Sequence, residues 1–121
     1  MTQFKINKAY GTLVRLAELK LPLKKAYELY KMTKAMEDVY QFAVSEEQKY
    51  INEFNGTINP DGTVSFEDAT KFGEFQERLA ALNDMEVEID IAPVKLTEAD
   101  MGDQTITPAE IFSLEGFVCF E

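Results

Sequence analysis

The chain has 121 residues, 45% of them hydrophobic, and a net charge of −10, which suits one folded domain and excludes both a two-domain chain and a disordered tail. With no histidine and one cysteine, it lacks the commonest general base, the commonest metal ligand, an internal disulfide and a cysteine pair for zinc. No apolar run approaches the roughly 18 residues of a membrane span, and the opening MTQFKINKAYGTL has no secretory apolar block, so a cytoplasmic chain is expected.

Leu13, Leu16, Ala17 and Leu19 stand at helical spacing, which predicts a first helix over Lys8–Lys20. Pro22 interrupts it, because the residue before a proline is pushed out of the α region. Pro22 then opens a long second helix reaching Phe54. Its apolar stripe is Leu29, Met32, Met36, Val39, Ala43 and Tyr50. Two helices joined by so short a break are expected to pack as an αα-hairpin.

The next stretch, TINPDGTVSFED (Thr57–Asp68), admits two readings. As a calcium loop with Gly62 at the invariant glycine, it offers Asn59, Asp61 and Ser65. It also puts Thr57 where the first carboxylate belongs and Asp68 where a bidentate Glu belongs. As a hairpin, Ile58, Val64 and Phe66 alternate, Pro60 presets the turn and Gly62 takes the left-handed position. The hairpin accounts for more of the residues, so calcium is not expected as a partner.

Phe72, Phe75, Leu79 and Leu82 mark a further helix ending near Asn83, with Ser65 as its expected N-cap and Asp68 completing a capping box. EVEIDI, Glu86–Ile91, alternates apolar and acidic residues and predicts a half-buried strand with an acidic face. Thr107-Pro108-Ala109-Glu110 has the form of a helix start, and Gly116 can end that short helix. FVCF, Phe117–Phe120, follows as a short strand or extended tail, with Cys119 expected as a buried structural thiol. The predicted class is α+β in one domain, 1–121. Its helical hairpin covers 1–54 and its mixed part covers 55–121, which holds a β-hairpin, a helix, an acidic-faced strand and a short C-terminal helix.

Charge is unevenly placed. Residues 1–34 hold eight basic and two acidic side chains (+6), and residues 35–121 hold four basic and twenty acidic ones (−16). Either the two parts neutralise each other within the fold, or the basic face of one subunit meets the acidic face of the next, head to tail. Lys20, Lys24 and Lys31, with Lys34, are candidate partner-facing groups. The overall acidity argues against direct nucleic-acid binding. Glu86, Glu88 and Asp90 lie on one strand face about 6.6–6.8 Å apart, close to the roughly 7 Å between phosphates along one nucleic-acid strand. They could therefore imitate a nucleic acid, or simply guard a sheet edge against aggregation. No phosphate-binding glycine loop and no nucleophile motif is present, so a non-enzymatic protein without a cofactor is expected.

LPLKKAYELYK after the proline break, EVEIDIAPVKL, and ITPAEIFSLEGFV near the end together resemble a family of small proteins encoded by phages and prophages of Gram-positive bacteria. The likeness runs from about Leu19 onward. It implies a phage or prophage origin and no assigned activity. The function expected from it is protein–protein interaction, as an accessory or virion-assembly component, self-associating or docked on a larger protein. Phe112 and Phe117 are the expected apolar anchors. The alternative is an acidic inhibitor of a host nucleic-acid enzyme.

Overall fold

A computed structural model describes residues Met1–Glu121. Helix α1 spans Gln3–Leu16, not Lys8–Lys20. It starts earlier because the Thr2 hydroxyl accepts the Lys5 N–H at 3.2 Å, and because Gln3, Ile6, Ala9, Leu13 and Leu16 form its buried stripe. It ends earlier because Gln104 takes both backbone groups of Lys20: the Lys20 N–H donates to Gln104 Oε1, and Gln104 Nε2 donates to the Lys20 carbonyl. Leu19 and Leu21 still pack on the core, from an irregular link.

Helix α2 runs Leu23–Glu53, with Pro22 as its N-cap residue. At 1.5 Å per residue its 31 residues span about 46 Å. Its first half packs on α1 as the expected αα-hairpin, with Leu29, Met32 and Met36 in the shared core and Tyr10 stacked on Tyr40 at 4.4 Å. Strands β1 (Thr57–Ile58) and β2 (Val64–Ser65) form the hairpin, Thr57 opposite Ser65 and Ile58 opposite Val64. The Gly62 N–H closes the turn on the Asn59 carbonyl at 2.9 Å, and Gly62 sits at φ +87°, where a side chain would be strained.

Helix α3, Ala69–Asp84, is capped by Asp68 on the Thr70 N–H. Ser65 is not its cap: it belongs to β2, and its hydroxyl accepts from Asn59. Ile51, Phe54 and Phe75 form a second, smaller cluster under the hairpin, so α2 carries a core near each end.

Glu86–Ile91 is not a strand. Alternation survives, with Val87, Ile89 and Ile91 half-buried and the three acids exposed. Pairing does not: one bridge, Thr2 with Glu86, is all the segment finds. The groups beside it are the start of α1, whose Gln3 N–H reaches the Met85 carbonyl, while the Val87 N–H takes that of Met1. Beyond them α1 is helical and has no ladder to offer.

The second sheet forms further on. Strands β3 (Val94–Leu96) and β4 (Val118–Phe120) pair in parallel, with Val94 opposite Val118. Between them lie α4 (Glu98–Met101) and α5 (Pro108–Ser113), each begun by a threonine capping box. The main core joins Ile6, Leu13, Met36, Leu96, Leu114 and Phe117. The architecture is α+β, helical first, with two small sheets. No helix is long and apolar enough to cross a membrane.

Candidate protein-binding surface

The placement of α5 begins with its cap. Thr107 Oγ1 accepts the Glu110 N–H, and Glu110 returns a carboxylate oxygen to the Thr107 N–H at 2.9 Å. Glu110 also pairs with Arg15, and Ser113 shares a 2.6 Å hydrogen bond with Thr12, so α5 is fastened to α1. Leu114 and Phe117 then turn into the core, and Gly116 at φ +88° lets the chain reverse into β4.

This inward turn leaves the opposite side of α5 uncovered. Ile111 is exposed and Phe112 is 72% exposed. Between α5 and β4 lies a groove of ≈ 680 Å³ lined by Pro93, Pro108, Ile111, Phe112, Cys119 and Phe120. In a parallel ladder of this register, Phe117, Cys119 and Glu121 bond toward β3, so the backbone of Phe120 points away from it. Cys119 is exposed, not buried, because the outer face of so short a sheet has no layer above it. Phe112 also borders a second cleft, with Phe4, Lys5 and Lys8, where the Lys8 ammonium stands 4.8 Å from the Phe4 ring centre. The groove is apolar, with Glu115 as its charged lining residue and the backbone of Phe120 turned away from β3 beside it; it suits an extended or aromatic protein segment.

Of the two expected anchors, Phe112 faces solvent and Phe117 does not. Phe117 is 1% exposed in the main core under Lys5, because it lies past the Gly116 reversal. Lys20, Lys24 and Lys31 are all exposed; Lys20 is in the link, and the other two are on α2. Glu86, Glu88 and Asp90 are exposed on the extended segment, with Glu86 taken by the Met1 ammonium at 2.9 Å. The acidic segment and the lysine face come together at one cleft, bordered by Lys31 on one side and Asp90 on the other.

Two features escaped the sequence reading. Leu23, Tyr27 and Tyr30 stand out from α2, 87%, 57% and 56% exposed, with Lys31 over the Tyr27 ring at 4.9 Å. Their i, i+4, i+7 spacing is itself a helical stripe, masked in the sequence by the longer core stripe on the same helix. The other is the parallel pairing of β3 with β4, which no local pattern announces.

The Thr57–Asp68 loop directs its oxygens into its own turn. Asp61 accepts the Thr63 hydroxyl at 2.7 Å and the Thr63 N–H at 3.0 Å, which holds its carboxyl below the ordinary 3.8. On α2 the Glu37 carboxylate, hydrogen-bonded to Lys34 at 2.9 Å, raises the pKa of that ammonium. No cluster of three or more Cys, Asp or Glu side chains is placed to hold a metal ion. A scan against family models and searches of curated proteins and of solved structures found no significant match.

Proposed function

We propose that this chain is a non-enzymatic protein that works by binding another protein, as an accessory or assembly component of a phage or prophage, in the host cytoplasm or on the virion. The observation that carries this reading is surface left without a use inside the fold. The chain exposes 7996 Å², whereas a monomer of 13.8 kDa is expected to expose about 6,600 Å². Charge points the same way. Of the eight Lys and Arg in residues 1–34, Lys5, Lys8, Lys20, Lys24 and Lys31 make no ion pair within the chain, so ion pairs neutralise the basic part only in part.

The groove beside Phe112 is the partner site in this reading. Exposed aromatics in apolar grooves carry a large share of binding energy, commonly about 2 kcal/mol or more each. Immobilised chain should capture a specific protein from a phage-induced lysate, and Phe112→Asp should reduce that capture at least about tenfold. Equal capture by the variant would remove the groove from the reading.

A second reading is supported by Glu88 and Asp90, which stay exposed on extended backbone. There the chain would occupy the nucleic-acid site of a host enzyme. Glu88→Gln with Asp90→Asn should then abolish a capture that salt and DNA also reverse. Capture indifferent to salt and DNA would exclude it.

A further inference from the structure

One edge of the β3–β4 sheet is backbone that the fold leaves unpaired. Phe117, Cys119 and Glu121 bond toward β3, and the Val118 N–H is taken by the Leu114 carbonyl. The Val118 carbonyl and both backbone groups of Phe120 therefore point the other way, beside the groove that Ile111 and Phe112 of α5 line. A further strand finds hydrogen-bond partners there whichever direction it runs. Charge stands at both ends of this edge. Glu115 lines the groove ahead of Val118. Glu121 follows Phe120, and its carbonyl accepts the Glu98 N–H, which sets Glu98 beside it. All three acids are exposed, and none has an ion pair within the chain. The bases of this region are turned elsewhere: Lys5 and Lys8, across Phe112, stand over Phe117 and Phe4, and Lys95 is on the far strand.

We infer that the segment bound at this groove belongs to another protein and adds to β4 as a third strand, apolar at its centre and carrying Lys or Arg at each end. One base would meet Glu115; the other would meet Glu98 and Glu121. Backbone bonds to Val118 and Phe120 hold such a strand whatever its sequence, while the apolar groove and the acidic ends select it. A second copy of this chain is not the complement. Laid edge to edge in either direction, two β4 strands bring acids to acids, and like charges on neighbouring strands are destabilising. The inference rests on the reading of the groove as the partner site and names the chemistry of what fills it.

The experiment selects binders of the full chain from a library of random peptides of about nine residues, ~30 Å when extended. Binders should carry Lys or Arg on both sides of an apolar centre, and replacing those bases by Glu should weaken binding at least about tenfold. Glu115→Lys with Glu121→Lys, at exposed positions, should remove that preference. The Phe120 amide should exchange at least about tenfold more slowly in the complex. N-methylation of one alternate set of peptide nitrogens should abolish binding, and of the other set should spare it. A library without binders, binders with neutral or acidic ends, or a Phe120 amide unchanged on binding overturns the inference. A free chain of twice 13.8 kDa with Phe120 already protected would put a second copy on the edge and also overturn it. If strand addition fails while Phe112→Asp still lowers capture from lysate, the groove stands as the partner site and only this inference falls. Strand addition that succeeds while capture ignores Phe112→Asp would support this inference and count against Phe112 as the anchor.

Discussion

Gln3 is the most constrained polar side chain in the molecule. It is fully buried, and its Nε2 donates to Asn7 Oδ1 at 2.8 Å and to the Val39 carbonyl at 3.0 Å, while Oε1 has no partner. The unpaired oxygen offsets much of what the two bonds contribute. Gln3→Leu should therefore change stability by less than about 1.5 kcal/mol, whereas Ile6→Ala, one turn on, should cost about 2–5 kcal/mol; denaturant unfolding of both checks this. At the hairpin, the lowered pKa of Asp61 means that its charged form favours the folded state. Its contribution is present above the ordinary 3.8 and disappears as pH falls through the lowered folded value. The gap in melting temperature between the parent and Asp61→Ala should thus be open at pH 7 and narrow in acid, while the gap between Asp61→Asn and Asp61→Ala, neither of which carries that carboxylate, should not change with pH. Caps show what residues reveal on their own. Thr107 could be read because Pro108 and Glu110 follow it; Thr2 could not, because Lys5 stands where the returning acid would be.

Among the elements, α2 ties together two cores of unequal size. The smaller has three buried members, braced by Phe66 stacked obliquely on Phe75 at 4.9 Å. Phe75→Ala should cost about 3–5 kcal/mol. Its hydrogen-exchange protection should fall first in β1, β2 and the start of α3, with α1 and the β3–β4 pair staying protected; uniform loss would show one cooperative unit instead. The helices were legible because their stripes are long and local, and the β1–β2 turn because Pro60, Asp61 and Gly62 have restricted uses. Glu86–Ile91 misled because alternation reports which side of a segment is buried, not whether a neighbour offers hydrogen bonds. Val94–Leu96 was missed for the complementary reason: its partner is Val118–Phe120, far along the chain.

Taken whole, the molecule separates what sequence can say about a surface from what it cannot. The excess of lysine before Ala35 was visible at once, as was the acidic remainder. That Lys31 and Asp90 would border one cleft, and that Phe112 would face out while Phe117 faced in, depended on one glycine reversal and on α2 packing beside β3. Candidate contacts were therefore legible as residue types and illegible as a surface. The enclosure of α1 also has a consequence in time. Ile6, Leu13 and Leu16 are made well before Leu114, Phe117 and Val118, which complete their core. Until then α1 can lean on α2, α3 and the Val87–Ile91 segment, with the part of its stripe that meets Leu114 and Phe117 uncovered. The main core therefore closes after the smaller one can form, which gives folding helpers a window on the nascent chain.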